Sequence, residues 1–142
     1  MGLLDEVAIF NVARKETEIA ESMKVALMLG VAYNDMGDEE AGMGTAFGDY
    51  NNEGFLDLTV SNFQNETNTV YRNGNGNFFE DATITAGIAE VTYNFLGWGI
   101  NFFDYDNDGY KDIFVANGHV MDNINQINQH VMFPQENLLF RN

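Results

Sequence analysis

The 142-residue chain has no cysteine, one proline, and six basic residues against 22 acidic ones. Without cysteine there is no disulfide and no thiolate metal site, so any ion it holds must be a hard one taken by oxygen ligands. The formal net charge of −16 repels phosphate backbones and anionic membrane surfaces, which argues against nucleic acid and lipid headgroups as partners and in favour of divalent cations. Long apolar runs are also missing. The stretch VALMLGVA, Val25 to Ala32, is too short to span a bilayer and reads as neither signal peptide nor anchor, so no membrane insertion is expected. The two histidines, His119 and His130, have no serine or cysteine nucleophile motif beside them, and His119 reads as a residue that structures its loop.

What is present is enough for a folded core, with 45% hydrophobic and 13% aromatic residues. Fourteen glycines and 19 asparagines are residues that tolerate positive φ, suited to tight turns and to backbone looped around an ion.

An internal repeat organises the chain. Shifted by 55 residues, Gly42 to Asn62 falls on Gly97 to Asn117, with identity at Gly44/Gly99, Phe47/Phe102, Asp49/Asp104, Asn52/Asn107, Gly54/Gly109 and Asp57/Asp112, among others. NTVYRN (Asn68 to Asn73) then matches NLLFRN (Asn137 to Asn142) at an offset of 69, so the second copy carries 14 extra residues, within Gly118 to Glu136. That amide-rich insertion is long for a connection and is read as either a recognition loop or a solvated excursion. Leu56, Leu58 and Val60 alternate with Asp57, Thr59 and Ser61, the period of a half-buried strand. Ile113 and Val115 alternate with apolar Phe114 and Ala116, which predicts a more deeply buried strand. TVYRN-GNG-NFFED reads as a hairpin. Several short strands per repeat of about 50 residues predict an all-β fold of antiparallel β-propeller blades, in units of about 41–90 and 96–142.

Each unit carries an acidic loop. In DYDNDGYKD, Asp104, Asp106, Asp108 and Asp112 occupy positions 1, 3, 5 and 9, the Tyr110 carbonyl position 7, and Gly109 the sharp turn at position 6. Four carboxylates in one turn repel each other, with Lys111 the only basic residue close in sequence, and calcium fits such alternating oxygen ligands. An EF-hand is disfavoured, because position 12 is Val115 here and Val60 in the other copy. The first loop, DYNNEGFLD, offers Asp49, Asn51, Glu53, the Phe55 carbonyl and Asp57. With three charged ligands where the second has four, it is expected to hold its ion more weakly. Magnesium is less favoured at both, since it demands a tighter octahedron.

The sequence G-x-G-x-x-x-x-D-x-D/N-x-D/E-G-x-x-D, followed by an apolar strand and Asn, resembles FG-GAP/VCBS-type repeats, as found in the integrin α-subunit head. GWGINFFDYDNDGYKDIFVANGHV and NLLFRN more narrowly resemble the propellers that accompany ASPIC/UnbV domains. The resemblance implies a calcium-stabilised propeller module of an extracellular or cell-surface protein, not an enzyme, used in adhesion or in recognition of protein or carbohydrate. Its first partners are the missing blades of the parent protein, since the pattern stops after the second FRN-type strand. The alternative is part of a propeller-type polysaccharide-active enzyme, which needs paired carboxylates at an open cleft. Residues 1–25 read as a separate segment, in which LLDEVAIFNVARKETEI passes from strand-like alternation to a charged helical run; it resembles the end of a laminin-G-like jelly-roll module. NET at Asn65 is a glycosylation sequon.

Overall fold

The computed structural model describes residues 16–142. The strand-like part of the laminin-G-like stretch lies outside the described residues. Helix α1 spans Glu16–Leu29, so the segment boundary expected at residue 25 falls within this helix. The helix stops at Gly30, whose N–H meets the Leu27 carbonyl while that of Val31 reaches back to Ala26, the paired bonds of a Schellman cap.

Two antiparallel sheets follow. The first is a meander of β1 (Gly44–Gly48), β2 (Asp57–Ser61), β3 (Thr69–Gly74) and β4 (Phe78–Asp81), in that spatial order. Asn75 and Gly76, both at positive φ, close the predicted β3–β4 hairpin. A short helix α2 (Ala89–Thr92) leads to the second sheet, β5 (Gly97–Phe103), β6 (Asp112–Asn117) and β7 (Leu138–Phe140). The register places Ile100 opposite Val115 and Phe102 opposite Ile113, with Leu138 and Phe140 on the same face. That face packs with Val70 and with Ala82 and Ile88, after β4, to make the core. Apolar burial of this kind contributes roughly 1.5–3 kcal/mol per large side chain.

The face of the first sheet turned toward this core is largely polar. Gly44, Ala46 and Gly48 of β1 stand in register with Ser61, Thr59 and Asp57 of β2, and these three polar residues are fully buried. The expected half-buried alternation is therefore corrected: both faces of β2 are covered, Leu56 is exposed just before the strand, and Val60 is half-buried. Stacking a second sheet on the polar face is the reason. Ser61 Oγ donates to the Trp98 carbonyl across the seam at 3.2 Å, and Thr59 Oγ1 to the Thr69 carbonyl at 3.0 Å, so the buried hydroxyls are satisfied. Small residues let the sheets approach closely: a Cβ at Gly44 would run into the Trp98 backbone oxygen, and one at Gly48 would lie 2.8 Å from the Phe102 side chain.

The expectation that β6 is the deeper strand is reversed. Ile113 and Val115 are buried, but Phe114 and Ala116 are only partly covered, because among the described residues no third sheet stacks on their side.

Candidate metal centre

The turn after β1 and the turn after β5 are built alike. Asn52 and Asn107, at φ 58 and 59, precede Gly54 and Gly109, at φ 91 and 92. Those left-handed positions fold each loop back on its first aspartate. Asp49 Oδ1 and Oδ2 accept the amides of Glu53 and Gly54 at 3.0 and 2.9 Å. Asp104 accepts those of Asp108 and Gly109 at the same distances.

At the other end, Asp57 and Asp112 are each 1% exposed. Asp57 accepts the amides of Tyr50 at 3.1 Å and Asn73 at 2.8 Å; Asp112 accepts those of Tyr105 at 2.8 Å and Asn142 at 3.0 Å. Each position-9 aspartate thus fastens its loop to the third strand of its sheet or to the second residue beyond it. Their proton affinities nevertheless move in opposite directions. Burial raises the Asp57 pKa against those two amides, with Asp49 and Glu53 adding to the rise. The amides of Tyr105 and Asn142 lower that of Asp112, helped by the charge of Arg141.

In the second loop, carboxylate oxygens of Asp104, Asp106 and Asp108 lie within 4.8 Å of one another. Tyr110, whose carbonyl is the sequence-predicted fifth donor, gives its amide to Asp108 Oδ1 at 2.9 Å. Asp112 stands outside the triad, bound to the amides. In the first loop, Asn51 Oδ1 accepts the Glu53 amide, Glu53 and Phe55 are exposed, and no comparable group of three acidic side chains forms among the described residues. The loops also touch: Asn52 Nδ2 donates to the Gly109 carbonyl at 3.2 Å, and Asn142 Nδ2 to the Tyr50 carbonyl at 2.6 Å.

The residues fit a hard cation by their donor chemistry, which is all oxygen, and by a stand-in positive charge already there. Arg141 Nε lies 2.7 Å from Asp106 Oδ2. The charge opposing the second loop therefore comes from Arg141 and not from Lys111, which forms no ion pair among the described residues. Sequence reasoning missed Arg141, although the Arg-Asn pair that recurs in VYRN and LFRN carried the signal.

Not all acidity belongs to the loops. A cleft of about 490 Å³ is lined by Asp35, Asp38, Glu39, Glu40, Glu66 and Asp81 together with Tyr93 and Ile84. Glu40, ahead of β1, is tied to β3 and to the residue after β2: Thr69 Oγ1 and Asn62 Nδ2 donate to its Oε2 at 2.5 and 2.8 Å.

The 118–136 insertion is a packed loop with a short 3₁₀ turn at Ile124–Gln126 and buried Ile124 and Val131. His119 holds it. Its amide bonds the Phe133 carbonyl, Nδ1 accepts the Met121 amide, and Nε2 therefore carries the proton given to Gln64 Oε1 at 3.0 Å.

Among the described residues, no helix is long and apolar enough to cross a membrane. No curated protein matches the chain. Residues 49–115 match the model of a family described as the FG-GAP-like repeat, a span that opens on Asp49 and encloses both acidic loops. Over those residues the chain is similar to the FG-GAP-like repeat, and the two acidic loops of the matched span each sit in an antiparallel sheet.

Proposed function

We propose that this chain is a calcium-binding repeat module, two blades of a β-propeller that serves as an adhesion or recognition scaffold in an extracellular or cell-surface protein. The observation that carries the reading is the convergence of Asp104, Asp106 and Asp108 within 4.8 Å in a loop whose spacing recurs 55 residues earlier. When bound, calcium supplies charge neutralisation and oxygen cross-linking to a turn otherwise held by amides and Arg141. Asp104, Asp106, Asp108 and Asp112, with the Tyr110 carbonyl, hold the ion in the second loop; Asp49, Asn51, Glu53 and Asp57, with the Phe55 carbonyl, hold it in the first. The role is structural. Each loop joins the first strand of a sheet to its second, and its last aspartate fastens the third strand or the chain just beyond it. The partners of such a scaffold are further blades and an extracellular protein or carbohydrate, not nucleic acid or membrane.

Thermal unfolding tests this reading. Calcium at a hundredfold excess over its dissociation constant stabilises a one-site protein by about 2.7 kcal/mol. A raised midpoint with calcium and a smaller rise with magnesium is the expected result. An unchanged midpoint overturns the metal role.

The acidic cleft supports a second reading, part of a polysaccharide-active propeller enzyme, because it sets the Glu40 carboxyl, whose pKa is raised by burial, in an open cavity with Asp81. Turnover of a polysaccharide that is lost in Glu40→Gln favours that reading over the scaffold.

A further inference from the structure

The cation on the second loop is one the chain supplies itself. Arg141 Nε sits 2.7 Å from Asp106 Oδ2 and Nη2 sits 3.4 Å from Asp108 Oδ2, so the guanidinium engages two of the three converging carboxylates. With Tyr110 on its other oxygen, Asp108 has both oxygens occupied, as Asp104 does through its two amides. The next residue keeps the arginine in place: the Asn142 amide bonds Asp112 Oδ1, and its side chain bonds the carbonyls of Tyr50 and Lys111.

The first unit is arranged differently. Arg72, which aligns with Arg141 at the 69-residue offset, gives its Nη2 to Glu80 Oε2 at 2.7 Å, across the β3–β4 pair in which the two residues are partners. Its own acidic loop has no arginine ion pair among the described residues. Sequence-equivalent arginines therefore serve different anions.

Resting on the calcium reading above, we propose that Arg141 is a tethered counter-ion of the second loop, which a divalent cation must displace from Asp106 and Asp108 in order to bind. The loop with more carboxylates then binds less tightly than its charge alone dictates, and its affinity depends on how firmly Arg141 is held. The arginine side chain is 62% exposed, and exposed ion pairs contribute little, so the displacement weakens calcium binding by no more than about five-fold.

Calorimetric titration with calcium in an Asp49→Asn background, which weakens the first loop, isolates the second. Adding Arg141→Gln is expected to tighten binding about two- to five-fold, whereas adding Arg72→Gln leaves it unchanged. Binding that is unaltered or weaker in Arg141→Gln, in a background that still binds calcium, overturns the counter-ion role and leaves the metal site standing. A background that binds no calcium with either residue at 141 overturns both. In the unsubstituted chain the Arg141 Nε–H resonance is expected to move as calcium is added; a fixed resonance while calcium binds contradicts displacement.

Discussion

The backbone amide of Asn142 donates to Asp112 Oδ1 at 3.0 Å, and the same bond joins Asn73 to Asp57 at 2.8 Å in the first unit. The last aspartate of each loop is thus a structural anchor with or without an ion. Asp57→Ala leaves the amides of Tyr50 and Asn73 without their acceptor, at a cost of about 1–3 kcal/mol. Urea unfolding in the presence of a chelator should show this loss. An effect seen only when calcium is present would make Asp57 a metal ligand and nothing more.

The seam between the sheets depends on missing side chains. Gly44→Ala drives a methyl group into the Trp98 carbonyl, whereas at Gly99 the nearest neighbour of an added Cβ is the Ala116 methyl at an ordinary 3.9 Å. Gly44→Ala is expected to cost about 1–3 kcal/mol as overpacking, and Gly99→Ala much less. Equal denaturation midpoints for the two variants would contradict the close approach of β1 to β5.

Burial holds the Glu40 carboxyl above its ordinary 4.5, against the hydrogen bonds from Thr69, Asn34 and Asn62. A raised carboxylate means that the folded chain binds the proton more tightly than the unfolded one, so this contribution falls as the pH rises from 4.5 through the folded value. Glu40→Gln keeps an acceptor for Thr69 and Asn62 but cannot ionise. Its stability relative to the parent chain should improve as the pH rises from 4.5 toward neutrality, measured by urea midpoints. A difference that does not change with pH would show that Glu40 is not strained.

The repeat was legible because turn chemistry is local: aspartates on alternate residues, with glycine at the sharp bend, specify Asp49 to Asp57 and Asp104 to Asp112 whatever surrounds them. Stacking was not legible. A period of two in DLTVS separates two faces but does not say that a second sheet covers the polar one, so Thr59 and Ser61 read as the open side of a half-buried strand when they are buried. Gly44 lay among the repeat identities, yet its role emerges only when β1 and β5 are brought together. Arg141 was hidden for a related reason. Its partner is chosen in three dimensions, and Arg72 in the same motif chooses Glu80.

Direct calcium binding, measured by isothermal calorimetry on the chain and on the Asp104→Ala/Asp108→Ala double variant, tests the central claim. Two ions per chain are expected, falling to one in the variant, with the lost site the one at Asp104 to Asp112. No binding heat in the parent chain, or identical isotherms for the two proteins, would contradict it.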